Sequence, residues 1–375
     1  MASKPHGREL DPVRIGFLVD MDVGVKANFV EPFQLAFEEA FASGVTNRRI
    51  ELVVEEASAL PRRSWTIARD GLRRLVDQGC IGVIGPLISD NAIALAPTID
   101  ALETPCISWC GTERFRGDYC FNLGNGGCGE EGQMMAAWLA RAGHRRVGVF
   151  NEISPNGEEY FQYFRWAADA AGLSIVRLET ITQTPDDLES SVAALHDSGC
   201  DALAYMGYGY PTILLGPIFR KLAWNPPRIM TTAFQFCYAS PQWMEALEGW
   251  TGIDQYCEDN PLVAPFLDRF EARFARRPAG NTVVTLSYDT ARVVAEAIRR
   301  APILTGAGLR TGLERLRLLP STTGGARTFI TATPSDHRLF QGDWLVYRRV
   351  EGGRTVFAGL YEPPGRGVSP TTRDA

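Results

Sequence analysis

The sequence predicts an α/β fold built from two doubly wound units, and three observations predict it. Strand-like and helix-like segments alternate along almost all of the 375 residues. The strands read as continuous apolar runs, as in parallel sheets covered on both faces, rather than as alternating polar and apolar positions. The series breaks once, in mid-chain, at a glycine-rich stretch, and then restarts.

Taken in order, "VRIGFLVD" (13–20) is an apolar first strand, and "NFVEPFQLAFEEAFASG" (28–44) is an amphipathic helix that would cover it. "RIELVVEEA", the helix "SWTIARDGLRRLVDQG" and the strand "IGVIGP" continue the series. "SDNAIALAPTIDALE" follows as a helix with Ser89 expected as its N-cap, and "PCISW" is the next strand. Beyond the glycines the helix "EEGQMMAAWLARAG", the strand "RRVGVF", the helix "NGEEYFQYFRWAADAAG" and the strand "LSIVRLETI" repeat the pattern. It runs on through "DDLESSVAALHDSG", "DALAYMGY", "PTILLGPIFRKLA" and "RIMTTAF", and weakens over 237–260. Two long helices, "PLVAPFLDRFEARFARR" and "NTVVTLSYDTARVVAEAIRRA", precede a short strand and a terminal hairpin about Glu351-Gly352-Gly353. The polar ends, 1–12 and 363–375, are expected to be mobile tails.

Composition narrows the function classes. The chain is 45% hydrophobic and 22% charged with a net charge of −6, and its Arg-Arg pairs are scattered, so no nucleic-acid surface is expected. No run approaches the ~18 apolar residues of a membrane span, and the N-terminus has no signal-like apolar stretch. The chain as given reads as cytoplasmic, or as periplasmic or cell-surface if an N-terminal signal has been removed. The eight cysteines show no CxxC spacing. Cys106 and Cys110 lie about 13 Å apart along a strand, too far to share a tetrahedral ion, so neither metal nor cofactor is expected. Histidines 6, 144, 196 and 337 are dispersed, and GxSxG, HExxH and GK[ST] are all missing. The residues offer no catalytic constellation.

The glycine cluster "FNLGNGGCGEEG" (121–132) leaves two readings. Gly124-x-Gly126-x-x-Gly129, with Glu152 beyond the next strand, has the spacing of a dinucleotide turn and would imply an NAD(P)-dependent oxidoreductase. Placed between two α/β units and fed only by "YCFNL", the same glycines suit a hinge that absorbs backbone rotation.

The order of these segments resembles that of the type I periplasmic binding-protein family, whose members include leucine/isoleucine/valine-binding proteins and a cytosolic amide sensor. "IGVIGPLISDNAIALAPTIDALETPCISW", the Gly111-Thr112 step, "CFNLGNGGCGEEGQMMAAWLA", "RRVGVFNEISPNGEEYFQYFRWAADAAG", "DALAYMGYGYPTILLGPIFRKLAW" and "SDHRL" carry the likeness. It implies two Rossmann-like lobes joined by a three-segment hinge. Lobe 1 would combine 13–124 with 260–334, lobe 2 would combine 129–255 with 337–362, and crossings would fall at 125–128, 256–259 and 335–336. It further implies a non-enzymatic binder that closes on a small organic ligand, with an ABC transporter permease or a cytosolic regulatory protein as partner. A homodimer through lobe 1 is a further possibility.

Strand ends and helix N-termini would face the cleft. In lobe 1 these are Ser89, Asp90, Trp109, Cys110, Gly111 and Thr112, with Ser89 and Thr112 at positions that hold a ligand carboxylate in amino-acid-binding relatives. Lobe 2 offers Asn156, Tyr208, Tyr210 and Phe234, and Tyr256 lies at the second crossing. Those relatives place an acidic residue after the strand matching "RIMTTAF", where this chain has "TTAFQFCYAS". That departure argues against a plain α-amino acid and for an amide, a carboxylate or an aromatic compound.

Overall fold

In the computed structural model, which describes residues 10–21 and 27–361, the first strand alternates its neighbours from one sheet face to the other. Ile15 and Phe17 enter one core while Gly16 and Leu18 face another. The first unit runs β1 (Val13–Val19), α1 (Ala27–Ala42), β2 (Ile50–Glu56), α2 (Trp65–Asp77), β3 (Val83–Ile84), α3 (Ser89–Ala101), β4 (Cys106–Ser108) and β5 (Cys120–Asn122). Its five strands pair in parallel in the order β2-β1-β3-β4-β5. The tails expected at 1–12 and 363–375 lie outside the described residues, apart from 10–12.

The second unit runs α4 (Cys128–Arg141), β6 (Arg146–Glu152), α5 (Pro155–Ala170), β7 (Ser174–Ile181), α6 (Glu189–Asp197), β8 (Ala202–Met206), α7 (Leu215–Lys221), β9 (Arg228–Met230), α8 (Pro241–Ala246) and β10 (Thr251–Asp254). Then follow α9 (Val263–Phe274), α10 (Thr282–Arg300), α11 (Gly306–Leu313), β11 (Leu319–Pro320), β12 (Phe329–Ile330), β13 (Phe340–Gln341), β14 (Val346–Glu351) and β15 (Arg354–Leu360). The second sheet has the order β15-β14-β10-β9-β8-β6-β7, with β14 and β15 antiparallel at its edge. Here too the faces alternate: Val147 and Val149 pack under α4 and α5, while Phe150 joins Tyr205 and Trp250 on the opposite side.

Helix α10 belongs with the first sheet although it comes late in the chain, because its apolar side packs on α1 and on Trp109. The chain therefore passes between units after β5, after β10 and before β14. Gln255, at the second passage, bridges the first passage and the loop between β11 and β12. Its Nε2 donates to Gly124 O at 3.0 Å, and its own carbonyl accepts from Gly324 N at 2.6 Å.

Past 335–336, where the third crossing was expected, the chain stays beside the first sheet for a few residues. Asn122 N donates to His337 O at 2.8 Å and Leu339 N donates to Asn122 O at 2.8 Å, so 337–339 runs beside β5. β13 then completes a small antiparallel sheet with β11 and β12, and the chain reaches the second large sheet only at Val346. Residues 337–339 thereby satisfy backbone groups at the free edge of β5.

Candidate functional site

Both sheets change winding direction between their first strand and the next one over, at β1/β3 in the first and β6/β8 in the second. Such a switch point leaves a crevice at the strand carboxyl ends, where loops diverge to opposite faces. The two crevices face each other across a cavity of about 420 Å³.

Its walls are aromatic on both sides. Trp109, past the end of β4, stacks on Phe29 with ring centroids 5.8 Å apart, and its indole N–H donates to Thr290 Oγ1 at 3.0 Å. Opposite, Tyr208, Tyr210 and Phe236 form a three-ring cluster with centroid separations of 5.0, 5.5 and 5.1 Å, and Trp243 extends it 5.1 Å from Phe236. Ser89, Asn125, Asn156, Tyr160, Thr232, Gln235 and Asn281 supply the polar positions. None of the described side chains lining the cavity carries a formal charge.

Charge is nevertheless close by, one layer behind the lining. Asp20 accepts from Leu87 N at 2.7 Å and from Asn91 Nδ2 at 2.8 Å, and holds the loop into α3. Glu131 accepts from Thr232 N at 2.6 Å, Gly127 N at 2.8 Å and the Tyr160 hydroxyl at 2.9 Å. Glu152 accepts from Gly209 N at 2.6 Å and the Tyr205 hydroxyl at 2.5 Å, fixing the loop that carries Tyr208 and Tyr210. Asp254 takes the Tyr238 hydroxyl at 2.6 Å. Burial pushes Asp20 up to about 6, and Glu131 and Glu152 up to about 7, with these hydrogen bonds opposing the rise. Each carboxylate accepts from at least one backbone, hydroxyl or amide donor of the segments around the cavity, although Glu152 Oε2 is left without a partner. Together they shape the cavity without facing into it.

Of the residues expected at the site, Ser89, Trp109, Gly111, Asn156, Tyr208 and Tyr210 line this cavity. Ser89 does so for a different reason from the one expected. The N-cap of α3 is Ile88, and Ser89 sits inside the helix with its Oγ accepting from Gly111 N at 3.2 Å. The other five lie elsewhere. Asp90 accepts from Asn156 N at 3.0 Å, and Cys110 is buried against Asn122. Thr112 donates its hydroxyl to Glu159 at 2.5 Å. Phe234 is fully buried beneath Gly252, where a side chain would collide with it. Tyr256 packs under the guanidinium of Arg348. Trp243, Gln235 and Asn125 were not singled out by sequence; the first two follow the strand end where the periodic pattern fades, and Asn125 sits among glycines.

The dinucleotide reading is overturned by the same geometry. A pyrophosphate would need the free N–H groups at the start of α4, but Gly127 N already donates to the Glu131 carboxylate. Glu152 is engaged inside the core, not offered to a ribose. Moreover β5 belongs to the first sheet while α4 packs on α5 and on β9 of the second, so strand, turn and helix do not form one βα unit. Gly126 has a φ of +89°, and a side chain there would collide with Glu131 and Thr232. Its lack of a Cβ serves the crossing.

Among the described residues no group of three His, Cys, Asp or Glu side chains could hold a metal ion, and no helix is long and apolar enough to cross a membrane.

The family model described as periplasmic binding protein matches residues 12–354. The chain belongs to that family. Its members are substrate-binding proteins, and the two-lobed α/β architecture is that of the type I class. No curated protein matches the sequence. Among solved structures, a type 1 periplasmic binding protein from Bordetella pertussis is 20% identical with a TM-score of 0.78, covering 93% of this chain and 100% of its own. A leucine-binding protein from Thermotoga maritima is 19% identical with a TM-score of 0.75, covering 94% and 99%. The solute-binding protein of an ABC transporter from R. palustris, in complex with benzoate, is 15% identical with a TM-score of 0.75, covering 93% and 96%. At these identities the likeness shows the fold.

Proposed function

We propose that this family member is a non-enzymatic receptor that closes its lobes on a small organic ligand, an amide, a carboxylate or an aromatic compound rather than a plain α-amino acid. The observation that carries this is the lining of the cavity: aromatic rings from both lobes and, among the described residues, no charged side chain. A primary ammonium buried there would lose its water without gaining a carboxylate from the described lining. A planar apolar body gains contact with Trp109 on one side and with Tyr208, Tyr210 and Phe236 on the other, and its polar end meets Ser89 and Asn156. Contacts to both lobes favour the closed state by differential affinity. In this reading the closed form is delivered to an ABC transporter permease on the periplasmic or outer side of a membrane, in keeping with the R. palustris solute-binding protein and its benzoate.

A thermal-shift screen over benzoate, benzamide, aliphatic amides, leucine and NADH tests it. Ligand at 100 times its Kd stabilises by about 2.7 kcal/mol, and at roughly 2–4 °C per kcal/mol that is a rise of about 5–10 °C. An amide or an aromatic acid is expected to give that rise, and leucine and NADH none. Phe236→Ala, which removes one ring from the three-ring cluster, is expected to weaken binding by about tenfold or more, ~1.4 kcal/mol. A full shift with leucine, or unchanged affinity in Phe236→Ala, counts against this reading.

A further inference from the structure

The first turn of α5 has two sides. Asn156 and Tyr160 face the cavity, while Glu159, between them in the helix, reaches across the opening to the loop that follows β4. One carboxylate oxygen of Glu159 accepts the Thr112 hydroxyl at 2.5 Å and the other accepts Glu113 N at 2.7 Å. Thr112 is in turn fixed, because its Oγ1 accepts from Arg114 N at 3.0 Å. The strand supporting this loop belongs to the first sheet, and the helix carrying Glu159 packs on β6, β7 and β8 of the second. Both prongs therefore join one lobe to the other. Beside them Asp90 accepts from Asn156 N, and Arg338 pairs with Glu113 and with Glu130 of α4, each at 2.8 Å.

We propose that Glu159 is a closure clamp, a positioning residue whose carboxylate binds Thr112 Oγ and Glu113 N and so holds the lobes together around a cavity it does not itself line. The inference rests on the reading of the molecule as two lobes that open and close. Every atom of the clamp belongs to the protein, so its contribution to closure is the same whichever ligand binds. Hydrogen bonds to an ionised carboxylate are among the stronger ones, and two at one group hold orientation as well as distance. A ligand whose competent form is only partly populated binds with its intrinsic affinity reduced by that fraction. Glu159 raises the fraction. Loss of a lining residue changes affinity differently for each ligand, whereas loss of the clamp lowers all affinities by one common factor.

Small-angle scattering on the full chain without added ligand tests this apart from any ligand's identity. Glu159→Ala is expected to give a larger radius of gyration than the parent, with an unchanged circular-dichroism spectrum. Thr112→Val, which keeps the shape of the side chain and removes one prong, is expected to give a smaller increase in the same direction. In the double variant the increase should equal that of Glu159→Ala, since the Thr112 prong is already lost. If Glu159→Ala folds and scatters as the parent does, the proposal is overturned. If Glu159→Ala does not fold, Thr112→Val decides, and a parental radius there overturns it equally. A parent protein that binds none of the screened compounds would count against the receptor reading, yet the scattering comparison would still decide the clamp.

Discussion

Replacing Arg348 by alanine is expected to cost about 3–5 kcal/mol of stability, the range for breaking a buried ion pair from one side. Arg348 is 1% exposed, on the edge pair β14–β15, and its Nε lies 3.7 Å from Asp254, which is fully buried. It also donates to Glu258 at 2.6 and 2.7 Å and to Tyr256 O at 3.1 Å. Removing the guanidinium leaves the Asp254 carboxylate in the core with only the Tyr238 and Thr282 hydroxyls and Gln255 N for company. Chemical unfolding of the purified chain reads the loss directly. At about 2–4 °C per kcal/mol the melting midpoint should fall by roughly 6–20 °C. The pair Arg348→Met with Asp254→Asn should recover most of it, because no charge then stays buried alone. A loss under ~1 kcal/mol would show that water reaches Asp254 and that the pair is not a core element. Because the Tyr238 hydroxyl is held by the same carboxylate and its side chain lines the cavity, Arg348→Ala should also weaken ligand binding.

Stability is also expected to fall as pH rises from 5 to 8. Glu131 and Glu152 move from 4.5 to about 7 on folding, and Asp20 moves from 3.8 to about 6. Burial raises all three, so the folded chain binds protons more tightly than the unfolded chain across that window. The contribution is fully present below pH ~4 and is lost as pH climbs through the folded values. A shift of that size corresponds to about 3 kcal/mol for each glutamate at the extremes. Glu38 and Glu296 act in the opposite sense, held down first by hydrogen bonds from Arg273 and Arg299, but their effect belongs to more acid conditions and they lie nearer solvent. Melting curves at pH 5, 6, 7 and 8 should show the decline, and Glu152→Gln, which cannot ionise, should flatten it. A midpoint that climbs steadily from pH 5 to 8 would mean that these carboxylates are ionised at little cost.

Much of the fold was legible because it is written locally. Apolar runs such as 13–19 and 146–150 are strands wherever they are buried on both faces, and capped amphipathic stretches such as 64–77 with Ser64 are helices. The segments that were missed lack that signature. β10 is a four-residue strand, and α8 and the turn Thr232–Tyr238 are too short to show a period. α11 carries three glycines, at 306, 308 and 312, and packs where Gly312 lets it approach Ala297 closely. The site was legible only to the level of which loops reach it. Sequence located the strand ends, which is why the expected set includes Trp109, Tyr208 and Tyr210 on the cavity wall. It could not say that Glu159 would claim the Thr112 hydroxyl or that Ser89 would turn to Gly111, because those partners meet only when distant segments dock.

Helix α10, at 282–300, covers a sheet whose strands end by residue 122, and this dictates how the molecule can be made. A ribosome that has delivered the first sheet has not yet delivered its lid, so β1 and Phe33 must wait through some 160 further residues for Leu286 and Val293. The nascent first lobe exposes an apolar face for that interval, while the middle of the second lobe, from α4 to β10, is already contiguous and able to consolidate. Cutting the chain at any of the passages between lobes would yield fragments with open cores instead of two separable domains. In this threading, the middle of the second lobe is available to consolidate before α10 reaches the first sheet.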